Sequence, residues 1–239
     1  MPPLCFANFQ VLSFDCYGTL VDWETGILSS LRPILAAHGK LLADADLLAL
    51  YGELEAEAEQ GAFRTYREVL QSVVRSLGKK FWFTPTEAET HSLPESLKHW
   101  RPFPDTVAAL EKLKRRYKLA VISNVDDDLF AATATRLRVA FDFVITAQQA
   151  SAYKPSPKIF HRAQEKIGAS PGQWLHIGQS IYHDVLPAQY LGLATVWVNR
   201  PSPRTGVGAV RSASGKPDLE IPDLRTLADL ALADSKPQD

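Results

Sequence analysis

Gln10 to Phe14 form a short, β-prone apolar run that ends at Asp15, the pattern of a buried parallel strand. A polar, glycine-containing turn, YGTLVDWETG, follows. From about Ile27 to His99 the apolar period changes to that of helices. Leu28, Leu31, Ile34 and Leu35 share one face; so do Leu48, Tyr51 and Leu54, and again Val69, Val73, Val74 and Leu77. Gly39, Gly61, Gly78 and Pro85 punctuate these stretches, which predicts an insert of three or four helices. Pro102 and Pro104 mark its end.

Beyond them strands and helices alternate. Strands are predicted at Leu119–Asn124, Phe141–Thr146, Trp174–Gly178 and Thr195–Asn199. Helices are predicted from Asp105, as cap, to about Arg116, then at Asp128–Arg136, Pro157–Ile167, Asp184–Leu191 and Leu224–Leu232. Repeated βαβ units imply an α/β fold, a Rossmann-like parallel sheet covered by helices on both faces. Arg200 to Lys216, rich in Pro, Gly and Ser, reads as a surface loop, and SKPQD as a frayed end.

The chain has 239 residues, 46% hydrophobic and 22% charged, with a formal net charge of -1. That balance carries no footprint for nucleic acid or for an acidic membrane surface. The basic cluster Lys112, Lys114, Arg115 and Arg116 fits a solvated helix end. Cys5 and Cys16 lie too close together to found a disulfide framework, so a reducing cytoplasm is the expected setting. No signal peptide and no run of apolar residues long enough for a membrane span is visible.

Ligands of open parallel sheets bind beyond the carboxyl ends of the strands. The first strand delivers Asp15, with Tyr17 and Thr19 just after; the second delivers Ser123 and Asn124. The third leads through a loop to Lys154, and the fourth delivers Gln179, Ser180 and then Asp184. Carboxylates, hydroxyls and an ammonium meeting at one edge form a constellation suited to nucleophilic catalysis. Asp126, Asp127 and Asp128 read as a solvated helix N-terminus in preference to a metal site. His183 stands either as a base or as a capping residue, and His161 and His176 read as structural.

These segments resemble the haloacid dehalogenase superfamily in four places and in order: FDCYGTL, VISN, YKPSPKIF and GQSIYHD. The resemblance spans about residues 10 to 200. It implies a core at residues 1–22 and 101–239 and a helical cap at 23–100. It implies Asp15 as a nucleophile that forms a covalent ester, Lys154 as its electrostatic anchor, and Thr19 as the group that orients it. Ser123, Asn124, Ser180, Gln179 and Tyr17 would meet the substrate, and Asp184 would serve the hydrolytic water. Tyr17 and Gln179 stand where phosphatases of the superfamily usually place Asp. The chain therefore looks like the 2-haloacid dehalogenase branch, which needs no metal or other cofactor and acts on a small anionic substrate. The alternatives are a magnesium-dependent phosphatase and a non-catalytic protein of the same fold. That branch also uses a cap arginine for the departing halide; YGELEAEAEQ offers none, which leaves Arg64 or Arg67. Trp23 and Tyr66 could wall the pocket or pack within the cap. A homodimer is common among such proteins, but no heptad or apolar stripe requires one.

Overall fold

The structure, a computed structural model, describes residues 4–201, 208–210 and 213–233. Parts of the expected loop after Arg200 and the SKPQD end fall outside the described residues.

Six parallel strands form one sheet in the order β3-β2-β1-β4-β5-β6. They are β1 (Val11–Phe14), β2 (Lys118–Ser123), β3 (Phe143–Thr146), β4 (Trp174–Gly178), β5 (Ala194–Val198) and β6 (Leu219–Ile221). β1 lies between β2 and β4, with Phe14 in register with Val121 and Ile177. Every residue of β1 and β4 is buried, and both read as mainly apolar runs, broken only by Ser13 and His176. The order reverses direction at β1, so the crevice beyond Phe14 is the topological switch point. The sheet and its order agree with the α/β expectation. β6 was not anticipated: three residues with one buried side chain carry too little periodicity to read.

Four helices lie between β1 and β2: α1 (Trp23–Ala37), α2 (Asp44–Ala58), α3 (Tyr66–Phe81) and α4 (Glu87–Ser96). α3 packs on α2 and α4, and α1 on α2 and α4. Thr65 and Thr86 open α3 and α4 with capping boxes closed by Glu68 and Glu89. The remaining helices flank the sheet: α5 (Thr106–Lys114), α6 (Asp127–Leu137), α7 (Ala147–Ala150), α8 (Pro157–Ile167), α9 (Leu186–Tyr190) and α10 (Leu224–Ala233). Among the described residues no helix is long and apolar enough to cross a membrane.

Two carboxylates do work other than that expected. Asp105 does not cap α5 with its side chain. It is buried, grips the Arg200 guanidinium through both oxygens at 2.9 and 3.0 Å, and accepts the Leu224 amide at 2.7 Å. A carboxylate withdrawn from water needs such partners, and a guanidinium supplies two parallel donors. Asp126 is not solvated either. It is 3% exposed and accepts the backbone amides of Tyr66 and Arg67 at 2.8 and 2.9 Å. It thus binds the N-terminus of α3 to the loop after β2, satisfying amides that the helix itself leaves free. Asp127 accepts from Thr146 and Gln149, and Asp128 pairs with Arg67.

Asp126→Ala leaves two buried amides unmet and is expected to lower stability by about 1–3 kcal/mol. Urea unfolding measures this; an unchanged midpoint contradicts the role assigned to Asp126.

Candidate active site

The turn after β1 places the first polar groups. Gly18 takes φ +94°, a conformation that ordinary side chains resist, and a β-carbon there would crowd Trp23 and Gln179 at 3.1 and 3.2 Å. The tight turn brings Thr19 back over β1, where its hydroxyl donates to Asp15 Oδ2 at 2.7 Å and accepts the Gln179 amide at 2.9 Å. One threonine therefore ties the ends of β1 and β4 to the same carboxylate.

Lys154 enters from the loop after β3. Its backbone is clamped by Asn124, whose Oδ1 accepts the Lys154 amide at 2.7 Å and whose Nδ2 donates to the Lys154 carbonyl at 3.2 Å. The ammonium, 2% exposed, then donates to Asp15 Oδ1 and Asp184 Oδ1, both at 2.7 Å, and to the Ile122 carbonyl at 3.0 Å. Three acceptors use all three of its hydrogens. Asp184 sits in a π-type helical turn, Ile181–Val185, that follows β4. Gly178 is needed beneath it, since a β-carbon there would lie 2.4 Å from the Asp184 carboxyl.

A second line of polar groups supports Asp184 from within the sheet. The Trp174 indole donates to Ser13 Oγ at 2.6 Å, and Ser13 Oγ meets His176 Nδ1 at 2.8 Å. His176 Nε2 lies 3.3 Å from Asp184 Oδ1. An ionised Asp184 can only accept, so Nε2 carries the proton. The structural reading of His176 therefore extends to orienting Asp184.

Charge in this cluster is unevenly held. Burial raises the Asp184 carboxyl, but the Lys154 ammonium and His176 outweigh it and hold the group well below the ordinary carboxylate range. Burial lowers the Lys154 ammonium, yet Asp15 and Asp184 together push it up to about 12. Asp15 goes the other way. Burial raises it, Lys154 pulls it down, and Asp184 adds to the rise, leaving it above its usual value. The anchoring ammonium is present, but it is shared between the two carboxyls at equal distance.

A small cavity of about 60 Å³ lies over these groups, lined by Asp15, Tyr17, Ser123, Asn124, Lys154, Gln179, Ser180 and Asp184 from the sheet edge. Trp23, Glu55, Glu59 and Tyr66 face it from α1 to α3, with His183 and Val210 completing the wall. Every expected residue but Thr19 and Arg67 lines it; Thr19 acts from behind, through its hydrogen bond to Asp15. Arg67 donates to Glu95 and Asp128 at 2.9 and 2.6 Å, well outside. Two surface carboxylates claim its guanidinium before it can turn inward. Arg64 is held by the Ala58 carbonyl and Ser72. Tyr17 lends the cavity its ring, while its hydroxyl is bound to Thr133 at 2.9 Å and burial lifts its pKa well above the ordinary value. It cannot pass protons there at neutral pH. Ser180 Oγ accepts the His183 amide at 3.0 Å, a capping contact.

The residues that sequence reading missed are Glu55 and Glu59. Both phenols of Tyr51 and Tyr66 donate to Glu55 Oε1, at 2.7 and 2.6 Å. A signal existed: Tyr51, Glu55 and Glu59 are four apart, on one helical face.

A divalent cation does not suit this donor set. The Lys154 ammonium already occupies the position between Asp15 and Asp184, and Gln179 offers a neutral amide where an anionic oxygen is preferred. Among the described residues no three His, Cys, Asp or Glu side chains converge as metal ligands.

The model of the haloacid dehalogenase-like hydrolases matches residues 9–192. The chain belongs to this hydrolase family. An (S)-2-haloacid dehalogenase of Pseudomonas sp. (strain YL) is 23% identical over 228 residues, covering 92% of this chain and 93% of the relative. The (S)-2-haloacid dehalogenase 4A of Burkholderia cepacia is 25% identical over 199 residues, covering 81% and 84%. The L-2-haloacid dehalogenase of Xanthobacter autotrophicus, solved with chloropropionic acid covalently bound, superposes with a TM-score of 0.78 at 20% identity, covering 94% and 98%. The six-stranded parallel sheet with its flanking helices is the fold of this family.

Lys154→Met strands two buried carboxylates, so stability at neutral pH is expected to fall by about 3–5 kcal/mol. In the parent, Asp184 contributes stability above the unfolded carboxyl pKa, and this is lost as pH falls through its lowered native value. In the variant that contribution disappears and both carboxyls favour protonation. The gap between the two proteins should therefore narrow between neutral pH and about pH 4. Denaturant midpoints across pH check it; a gap that stays constant or widens speaks against the shared ammonium.

Proposed function

We propose that this hydrolase is a 2-haloacid dehalogenase-like enzyme that works through an ester of Asp15. The observation that carries the reading is the Asp15–Lys154–Asp184 chain at the sheet's switch point, open to a cavity too small for a large substrate. The names of the (S)-2-haloacid dehalogenases above support the substrate class. In this reading residues 1–22 and 101–239 form the core that carries the reacting groups, and residues 23–100 form the cap over them.

Asp15 attacks the carbon that bears the halogen, next to the substrate carboxylate. A C–O bond forms, and the halide leaves with the bonding pair. No proton is needed by a halide, which fits a Tyr17 whose hydroxyl is committed to Thr133. Thr19 and Lys154 fix the two carboxylate oxygens and so hold the attack direction. Ser123 and Asn124, with Ser180 and Gln179 opposite, are the substrate's polar neighbours. Water then attacks the Asp15 carboxyl carbon, and the ester C–O bond on that carbon breaks. One water proton passes to the departing alkoxide to give the 2-hydroxy acid, and the other is lost to solvent as the Asp15 carboxylate is restored. Asp184, held ionised and therefore a weak base, orients Lys154 and the incoming water. The donor set that rejects a divalent cation speaks against the phosphatase alternative.

One turnover with 2-chloropropionate in oxygen-18 water, enzyme in excess, should place label in the Asp15 carboxyl, read by peptide mass spectrometry. Label found only in the product hydroxyl contradicts the ester. Asp15→Asn should lose about 10³-fold or more in turnover.

A further inference from the structure

Four acidic side chains line the small cavity, Asp15, Asp184, Glu55 and Glu59, against the one ammonium of Lys154. That ammonium is spent on Asp15, Asp184 and a carbonyl. Among the described residues no cation hydrogen-bonds or ion-pairs with either glutamate; Lys154 acts on Glu59 only through space, and Lys158 lines the wider cavity next to them. Glu55 is fixed in place by two phenols on Oε1, and its Oε2 has no hydrogen-bond partner among the described residues. Four residues on, Glu59 follows α2 with a helical bond from its amide to the Glu55 carbonyl at 2.9 Å. Its carboxyl makes no hydrogen bond or ion pair among the described residues.

Like charges four apart on a helix oppose each other, so helix stability gives no reason for this pair. Nor does the cap lack means to orient it, since Tyr51 and Tyr66 are buried beneath Glu55. A second observation marks the cavity as built for a ligand. Ser123 Oγ, on the opposite wall, is wholly buried and has no hydrogen-bond partner. Glu55, Glu59, Lys154 and His183 also line an adjoining, wider cavity of about 400 Å³. The glutamates therefore stand where the narrow chamber over Asp15 opens outward.

We propose that the substrate is zwitterionic: beyond its reacting carbon and carboxylate it carries a cationic nitrogen, which Glu55 and Glu59 receive. A simple 2-halo acid brings only a negative charge to a chamber lined by four acidic side chains, where Coulomb forces are weakly screened. A cationic arm reaching the junction removes that imbalance and leaves the carboxylate for Ser123. Burial, and Glu55 beside it, hold the Glu59 carboxyl well above its usual range despite the opposing pull of Lys154, so an arriving cation would draw it back toward the ionised form. The proposal rests on the reading of Asp15 as nucleophile for the reaction, but its recognition step needs no chemistry.

Binding is therefore measured with unreactive hydroxy acids. Calorimetry compares 2-hydroxy-4-(trimethylammonio)butanoate with its neutral isostere, 2-hydroxy-5,5-dimethylhexanoate, on the intact enzyme. The cationic compound should bind about tenfold tighter or more. Glu59→Gln and Glu55→Gln should each shrink that preference, and the double variant should abolish it, with circular dichroism verifying the fold. Equal affinity, preference for the neutral compound, binding of neither, or a preference that survives both substitutions overturns the proposal. The matching 2-chloro acids are then tested for turnover and for label in Asp15. Cation-selective binding without label would defeat the ester and spare the recognition. Label with no selectivity would do the reverse.

Discussion

One buried ammonium, that of Lys154, joins three parts of the sheet. It touches the carboxylates that end β1 and follow β4, and a carbonyl of β2. A charge so buried persists only when its partners are in place, and removing any of them leaves an uncompensated charge. Much of the surrounding sequence can be understood as service to this contact. Asn124 clamps the Lys154 backbone, Gly178 makes room for Asp184, and Thr19 holds the free side of Asp15. The line from Trp174 through Ser13 and His176 fixes Asp184 from below.

Sharing has a chemical consequence. Asp184, backed by His176 as well as Lys154, is held ionised. Asp15, more costly to desolvate than Lys154 alone can offset, lies above its ordinary pKa. A carboxylate that is less firmly stabilised as an anion is the better nucleophile of the two. The asymmetry fits the proposed division, with bond-making at Asp15 and support from Asp184.

Strands and the groups at their ends were readable because burial on both faces makes β1, β2 and β4 mainly apolar runs followed by polar residues. Asp15, Ser123, Gln179 and Asp184 follow from that rule, and Lys154 from its place after β3. What escaped depended on partners distant in sequence. Asp126 serves α3, about sixty positions away, and Asp105 serves Arg200 and α10; each looked like a local cap. Arg67 seemed available to the pocket because its captors, Glu95 and Asp128, come from separate elements. Glu55 and Glu59 were visible as an acidic stretch, but only the fold turns that face of α2 toward Asp15.

The shared ammonium is tested most directly by carbon-13 NMR titration of protein labelled at aspartate carboxyls, with Asp15 and Asp184 assigned through their Asn variants. The pair should titrate in two separated steps, one above and one far below the ordinary aspartate value of about 3.9. In Lys154→Met the lower step should move up. Two carboxyls titrating together near the ordinary value, unaffected by loss of the lysine, would contradict the account.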